Sequence, residues 1–452
     1  MENSIIAAID IGTTKIVAIA GRKNADNKFE ILGFGTVPSK GIKRGAVLNI
    51  EEAIESIRAA LDKAAENSGI KLSEVYVGIA GQHIRSTKAR TTYTLPSVDH
   101  EISAPDLVFL KNKVLELAID QGEEILHVIP QTFIVDSEVG IKNPVGMSGR
   151  QLEGNYHVVV AQMASVSNIK KCVNRVALKV NGLILEPLAS SAAVLTNDEK
   201  EIGVALVDIG GGTTDIAVFH DGVIVHTAVI PLGGNVITSD IKQAFNILER
   251  QAEELKKQYG SALPEKSQEE IIISVPGFKG RPPKEMSLNT LSLIIKARIE
   301  EIVHAVMFQL EVSGKARKLG AGMVICGGGS LLKNVRQLFS HLTGYDVRIG
   351  YPNEYLTSDV VEEINQPQFA TSVGLIMKGF EMQQTAHEPK KTIEIMTGKE
   401  PEEKEEPAKP DKKQKEKKKQ RDEDAPEGEK VKLLDLFKTK VSKFFDDDDN
   451  EL

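Results

Sequence analysis

Two segments of the chain carry glycine, threonine and aspartate in the same order, and both could bind an anion together with a cation. The first reads AAIDIGTTKIVAIAG (residues 7–21) and the second contains VDIGGGTTDIAVF (residues 207–219). In each, an apolar run ends in Asp-Ile-Gly, two threonines and one charged residue follow, and a second apolar run begins. Asp10 therefore corresponds to Asp208, and the repeat predicts two related halves of the chain that face each other.

The residue types in these turns suit a phosphate held together with a metal ion. Glycine lets the backbone approach a ligand closely, and successive N–H groups form a concavity that binds anions. The aspartates would repel phosphate without a divalent cation, and Mg²⁺ is typically held through one or two carboxylates plus substrate phosphates. We therefore predict a Mg-nucleotide, with Asp10 and Asp208 holding the ion through water and Lys15 placing a positive charge on the phosphates.

The two turns should hold this nucleotide from opposite sides. The other residues predicted to line the site are Gly12, Thr13, Thr14, Gly210, Gly211, Gly212, Thr213 and Thr214. An ordinary tight hairpin is the alternative interpretation of either turn, because glycine, threonine and aspartate are common turn residues.

A third glycine cluster lies in GMVICGGGSLLKNVRQLF (residues 322–339). A short apolar strand leads through Gly327, Gly328, Gly329 and Ser330 into an amphipathic helix, and we expect Ser330 to cap the N-terminus of that helix. Such a turn lets a base or phosphate lie against the backbone. Neither G-x-G-x-x-G nor G-x-x-x-x-G-K-[ST] occurs, so neither a dinucleotide-binding fold nor a P-loop is indicated.

Two Asp-Gly-Thr hairpins followed by a Gly-Gly-Gly-Ser turn resemble the actin, Hsp70 and sugar-kinase superfamily. Longer stretches at residues 186–241, 277–286 and 321–335 are similar to the FtsA family of bacterial cell-division proteins, and the resemblance covers about residues 4 to 383. It implies an α/β protein with the actin-like two-lobed ATPase fold, that is, duplicated ribonuclease-H-like domains, with an α+β subdomain inserted in the first lobe.

The resemblance also implies a function. Members of this family bind ATP in the cleft, polymerise, and recruit the tubulin-like FtsZ ring to the inner face of the cytoplasmic membrane at the division site. In that family the inserted subdomain contacts the next subunit and later division proteins, so the resemblance implies the same here; a purely structural α+β module is the alternative. We expect no enzyme activity beyond slow ATP hydrolysis.

Several residue roles follow from the resemblance alone. Glu186 would orient the attacking water, or it is simply an acid favoured at a helix N-terminus. Gly234 and Asn235 open a helix on the ribose side, and Glu253 and Lys256 would lie near ribose and adenine; the last two could instead be partners on a solvated helix. Arg281 is the candidate contact for the C-terminal peptide of FtsZ.

The pattern of the chain divides it into segments. The predicted units are a first actin-like lobe (1–83, 166–200 and 368–384), the inserted subdomain (84–165), a second lobe (201–235 and 306–367), a subdomain of the second lobe that is the candidate FtsZ-peptide site (236–305), a charged linker (385–430), an amphipathic helix (431–445) and an acidic tail (446–452). Helices are expected at 49–69, near 104–121 and at 288–310.

Composition agrees with a cytosolic protein of several domains. The 452 residues are too many for one compact core, and the net charge of −8 argues against nucleic-acid binding. Cys172 and Cys326 cannot form a disulfide framework, so we expect both to be buried as small apolar residues. The first residues lack the basic region of a signal peptide, and no apolar run approaches the ~20 residues that span a bilayer.

The C-terminal region predicts a membrane contact. The linker is rich in Pro, Glu and Lys and cannot bury enough apolar surface to fold. In the helix that follows, the apolar residues share one arc and lysines flank it: Leu433, Leu434, Phe437, Val441, Phe444 and Phe445, with Lys438 and Lys440 among the flanking cations. We expect this helix to lie on an anionic membrane surface; docking on a partner or on the protein's own globular body is the alternative.

The tail after that helix departs from the family pattern. Residues 446–449 are four aspartates, which anionic lipid repels. A monomer should therefore bind membranes weakly, and polymerisation would raise avidity by presenting many helices at once. The acidic end could instead be a separate binding site for a partner protein.

The functions of other members of the superfamily are the alternatives to cell division. A small-molecule kinase needs a carboxylate base beside an acceptor pocket, and the sequence nominates neither. An Hsp70-like chaperone needs a β-rich domain after the nucleotide domain, whereas a charged segment follows here. A pilus-assembly adaptor would share the fold and should lack this tail.

Overall fold

The structure is a computed structural model that describes residues 4–265, 270–277, 282–357 and 362–387. Arg281, most of the predicted linker, the amphipathic helix and the acidic tail lie outside the described residues. Elements are labelled in chain order.

The first lobe is built on a five-stranded sheet. Its strands, in spatial order, are β11 (Lys179–Leu185), β6 (Glu74–Ile79), β1 (Ile5–Ile11), β2 (Lys15–Lys23) and β3 (Phe29–Pro38). β1, β2 and β3 are antiparallel neighbours, whereas β1, β6 and β11 run parallel. Helices cover both faces, so β1 and β2 are almost continuously apolar and buried.

The helices of this lobe lie in two layers. On one face are α1 (Ile50–Ser68) and α3 (Met163–Asn174), and on the other are α4 (Glu186–Val194) and α10 (Ala370–His387). α1 begins after Asn49, whose side chain caps the helix by accepting from the Glu52 N–H. It ends at Gly69, which takes a left-handed conformation with φ of 67°. α10 continues to His387, so residues 385–387 are helical and not part of the linker.

The second lobe repeats the same sheet. Its strands, in spatial order, are β14 (Val223–Ile230), β13 (Thr214–His220), β12 (Val204–Ile209), β17 (Met323–Cys326) and β18 (Val347–Ile349). As in the first lobe read from β3, β14, β13 and β12 are antiparallel neighbours, and β12, β17 and β18 run parallel. The helices of this lobe are α5 (Asn197–Ile202), α6 (Gly234–Phe245), α7 (Glu249–Tyr259), α8 (Leu288–Ser313) and α9 (Val335–Thr343). The expected domain boundaries at 200/201 and 235/236 fall inside α5 and α6.

The matching strand order confirms the predicted duplication. The inner faces of both sheets pack on α4 and α10, so one apolar cluster joins residues of the two lobes, including Ala8, Leu206 and Ile376. Two short hairpins complete the lobes: β4 (Ile42–Lys43) with β5 (Ala46–Val47), and β15 (Ile272–Val275) with β16 (Lys284–Ser287).

The inserted subdomain is a four-stranded antiparallel sheet with one helix. Its strands, in spatial order, are β7 (Ile84–Thr94), β10 (Gln151–Gln162), β8 (Glu123–Val135) and β9 (Glu138–Ile141), and the helix is α2 (Ala104–Leu115). They share a separate core around Leu110, Leu152 and Tyr156.

Two expected helix ends were misplaced. α2 stops at Leu115 instead of near residue 121; its last buried residue is Val114 and residues 116–118 are exposed, so no apolar packing extends the helix there. α8 runs on to Ser313 and ends where Gly314 takes φ of 68°, so the proposed boundary at residues 305/306 falls inside a continuous helix. None of the helices in the described part of the chain has the length and apolar character needed to cross a membrane.

Candidate functional site

The two glycine–threonine turns face each other across the gap between the lobes. A Cβ atom placed on Gly211 would lie 1.8 Å from Thr14 Oγ1, and one placed on Gly212 would lie 2.6 Å from Thr13 Oγ1. Real Cβ atoms do not approach other atoms so closely, which explains the extra glycines of the second copy. The turns of both lobes therefore contribute to one site.

The strand period places the aspartates of both turns on the inner faces of the sheets. Along β1, Ile6 and Ala8 face α4 and α10, and a period of two puts Asp10 on the same face. Along β12, Val204 and Leu206 predict the same orientation for Asp208. Asp215 is paired directly with Asp208 across β12 and β13, so its carboxylate shares that face.

Hydroxyl groups of the two crossing helices hold these carboxylates. Ser372 Oγ donates to Asp10 Oδ2 at 2.8 Å. Asp208 Oδ2 accepts from Ser190 Oγ at 2.6 Å and from Thr371 Oγ1 at 3.1 Å. Sequence reasoning missed these residues; the only signal was a set of hydroxyl side chains within otherwise apolar helices.

Burial strongly disfavours the charged forms of the acids. It raises the pKa of Asp10 and Asp208, raises that of Asp215 to about 8, and raises that of Glu186 well above its usual range. Neighbouring carboxylates add to the shift for Glu186. Asp215 Oδ1 is also buried without a hydrogen-bond partner among the described residues. A divalent cation would stabilise the ionised forms of this group, so the donor set fits the predicted ion.

Lys15 is the cation closest in sequence to these acids. Its Nζ donates to the Gln368 carbonyl at 2.7 Å and lies 3.7 Å from the centre of the Phe369 ring. Burial lowers its pKa to about 8, and the charges of Asp10 and Asp208 oppose that shift. The lysine thus lines the cleft while it is anchored to the segment before α10.

The third glycine turn also lines the cleft, but the role expected for Ser330 was wrong. Gly327, with φ of 80°, leads into a 3₁₀ turn at Gly328–Leu331. Ser330 Oγ donates to the Gly327 carbonyl at 2.8 Å, so it stabilises the turn and caps no helix. α9 begins after Asn334, which has φ of 62°.

The helix pair α6–α7 closes another side of the cleft. Lys256 is buried and donates to the Gly234 carbonyl at 2.8 Å and to Thr238 Oγ1 at 2.7 Å, and it pairs with Glu253 at 2.6 Å. A solvated helix surface is therefore excluded for Lys256. The N–H groups of Gly234 and Asn235 donate to the Gly210 and Gly211 carbonyls, which ties the start of α6 to the second turn.

The structure brings most of the predicted residues into one cleft of about 620 Å³. The predicted residues that line it are Asp10, Gly12, Thr13, Thr14, Lys15, Glu186, Asp208, Gly210, Gly211, Gly212, Thr213, Gly234, Asn235, Glu253, Lys256, Gly327, Gly328 and Gly329. Thr214 and Ser330 are not among them; Thr214 is fully buried and its hydroxyl donates to the Leu232 carbonyl. Glu186 is the first residue of α4 and it also lines the cleft, so its position agrees with both interpretations given for it from the sequence.

Within the described ranges, no group of three or more His, Cys, Asp or Glu side chains is arranged to hold a metal ion. This does not contradict the prediction for Asp10 and Asp208, because an ion held through water does not need three direct ligands.

Comparison with known proteins gives matches over most of the chain. The family model described as "Cell division protein FtsA" matches residues 205–374, and that described as "SHS2 domain inserted in FTSA" matches residues 81–160. The protein called cell division protein FtsA in Pseudomonas aeruginosa is 40% identical over 382 residues, which are 84% of this chain and 91% of the relative. Its namesake in Neisseria meningitidis is 36% identical, with coverages of 83% and 90%, and that in Bacillus subtilis is 34% identical, with coverages of 83% and 83%.

Solved structures share the fold at low identity. The PilM–PilN type IV pilus biogenesis complex matches with a TM-score of 0.60 and 16% identity, over 83% of this chain and 98% of that one. MreB5 of Spiroplasma citri bound to ADP matches with a TM-score of 0.50 and 15% identity, over 85% and 98%. At this identity, these likenesses show the actin-like two-lobed fold.

Proposed function

This chain belongs to the FtsA family of cell-division proteins, and from that premise we propose that it binds ATP with Mg²⁺ between its lobes and anchors FtsZ at the membrane. One observation carries the first part of the proposal: Gly211 and Gly212 abut Thr14 and Thr13, so both turns line a single cleft. The MreB5 structure of the same fold contains ADP, and this supports the choice of a nucleotide.

The residues present fit such a ligand. Backbone N–H groups of the glycine turns and the Lys15 ammonium would bind phosphate oxygens. A Cβ on Gly328 would meet no atom within 4 Å, so the backbone there is open to a ligand. Asp10 and Asp208 would hold the hydrated ion, which neutralises charge on the phosphates and on the buried acids. Glu186 is the carboxylate that would orient a water, and we expect at most slow hydrolysis.

The membrane and FtsZ parts of the proposal rest on family membership and on the sequence of the C-terminal region. α10 begins at the cleft and ends at His387, and the segment that carries the predicted helix at 431–445 follows it in the chain. We propose that this helix binds the inner face of the cytoplasmic membrane and that the protein polymerises. The subdomain around β15, β16 and the start of α8 would bind the FtsZ C-terminal peptide, and the insert would bind later division proteins.

Two experiments test these parts separately. Titration of the purified protein with ATP should show binding that Mg²⁺ strengthens, and a titration without any binding would refute the cleft proposal. Co-sedimentation with anionic liposomes should carry FtsZ into the pellet only when this protein is present. Deletion of residues 431–452 should abolish that effect; equal sedimentation of the truncated protein would refute the membrane anchor.

A further inference from the structure

Three hydroxyl side chains lie between the two lobes at the base of the cleft. Ser190 is on α4, and Thr371 and Ser372 are in the first turn of α10; all three are buried. They donate to the carboxylates described above, Ser190 and Thr371 to Asp208 and Ser372 to Asp10. Ser190 Oγ and Thr371 Oγ1 lie 2.9 Å apart as both donate to Asp208, so the two helices meet at this carboxylate, and Ser372, the next residue of α10, donates to Asp10 of the other lobe.

The hydrogen bonds orient both carboxylates in the same sense. In each case the hydroxyl reaches Oδ2. The Oδ1 atoms lie on the side of the glycine turns: a Cβ on Gly327 would be 2.3 Å from Asp208 Oδ1, and a Cβ on Gly12 would be 3.8 Å from Asp10 Oδ1. Each carboxylate therefore has one oxygen fixed by a helix and the other directed towards the turns that line the cleft.

Helix geometry explains how one helix serves both lobes. Successive residues of an α-helix point about 100° apart, so Thr371 reaches the second lobe while Ser372 reaches the first. α4 and α10 cross so closely that a Cβ on Gly374 would lie 1.8 Å from the Ala189 carbonyl oxygen. This close crossing brings Ser190 within reach of Thr371.

We propose that Ser190, Thr371 and Ser372 are positioning residues that aim Oδ1 of Asp10 and Asp208 at a hydrated divalent cation between the lobes. The inference rests on the proposed nucleotide site, because it concerns the ion bound with ATP. Mg²⁺ demands near-octahedral geometry and keeps several of its waters, so the oxygens that accept from those waters must be held in place. Loss of such a supporting hydrogen bond typically reduces metal affinity by roughly tenfold to a hundredfold.

The test compares neighbouring serines on α4. Ser190→Ala removes a donor to Asp208, whereas Ser191→Ala removes a buried hydroxyl that donates to the Leu188 carbonyl at 2.8 Å. ATP affinity of the full chain is measured by titration in excess Mg²⁺ and in EDTA. We expect Ser190→Ala, Thr371→Val and Ser372→Ala each to weaken ATP binding about tenfold or more in Mg²⁺ and little in EDTA, while Ser191→Ala matches the wild type in both.

Thr371→Ser keeps the hydroxyl and should restore the strengthening by Mg²⁺, which separates positioning from a general packing defect. Melting temperatures of all variants identify any that fail to fold. The inference is overturned if Ser190→Ala and Thr371→Val keep the wild-type ratio of affinities in Mg²⁺ and EDTA, or if they weaken binding equally in both. Wild-type protein that binds ATP without any effect of Mg²⁺ would overturn this inference and leave the nucleotide site standing, whereas wild-type protein that binds no ATP would overturn both.

Discussion

Gly211 shows what a single residue contributes to the contact between the lobes. A side chain there would collide with Thr14 of the other lobe. We expect Gly211→Ala to hold the turns apart and to weaken ATP binding by about tenfold or more, because small displacements of binding groups are costly. Wild-type ATP affinity in Gly211→Ala would contradict this close contact between the turns.

The removal of Thr14 provides a second check of that explanation. The double variant Gly211→Ala/Thr14→Ala relieves the clash, so its ATP affinity should exceed the value that the two single variants predict by addition. Strict additivity would contradict a steric cause.

The buried acids predict a pH dependence of stability in the protein without nucleotide. Burial raises the pKa of Asp215 from an ordinary value of 3.8 to about 8. Between these values the folded state binds more protons than the unfolded state, so this residue's contribution is complete below about pH 4 and is lost as the pH rises through about 8. We expect Asp215→Asn to reduce the fall in melting temperature between about pH 5 and about pH 8, because an amide does not titrate.

Identical pH profiles for wild type and Asp215→Asn would contradict the buried-acid explanation.

At the scale of elements, a buried lysine of α7 bonds to α6. Lys256 bonds to Gly234 and Thr238 and pairs with Glu253, whereas its neighbour Lys257 approaches the same glutamate at 3.3 Å from an exposed position. We expect Lys256→Met to lower the free energy of unfolding by about 1–3 kcal/mol, because it removes a buried charged donor to Gly234 and Thr238 and a partner of Glu253. Lys257→Met should cost about 0.5 kcal/mol or less, as exposed pairs do. Urea denaturation measures both, and equal effects would contradict the difference in burial.

The elements also show where sequence patterns succeed. Alternation and continuous apolar runs predicted β1, β2, β12 and β13, because a strand covered on both faces must be apolar throughout. The end of α2 was misplaced because it depends on which residues find a core to pack on. Ser330 was misassigned because a 3₁₀ turn separates the glycines from α9, and a helix start is not visible in a run of small residues.

At the scale of the whole molecule, the insert contacts both lobes. His127 on β8 accepts from the Leu185 N–H of the first lobe at 3.0 Å. On the second lobe, Ser86 Oγ donates to the Thr227 carbonyl, and His157 Nε2 shares a buried hydrogen bond of 2.9 Å with Thr227 Oγ1. The insert therefore forms a connection between the lobes in addition to α4 and α10.

This connection should slow the opening of the cleft. Thr227→Val removes the partner of His157, and we expect a fluorescent ATP analogue to dissociate roughly fivefold faster, the equivalent of one hydrogen bond of about 1 kcal/mol. Thr132→Val is the control, because Thr132 bonds Asn155 within the insert alone. Equal dissociation rates for wild type and Thr227→Val would show that the insert does not restrain the lobes.

The sequence by itself determined the chemistry of the turns, because the glycines, threonines and aspartate of each turn are consecutive and their local conformation brings them together. It also indicated the duplication and the family. Only the tertiary structure decided which groups hold those aspartates: Ser190 is 18 residues from Asp208, and Ser372 is 362 residues from Asp10. Such contacts depend on how α4 and α10 cross between the two sheets, and no local pattern encodes a crossing that is formed by packing of distant apolar faces.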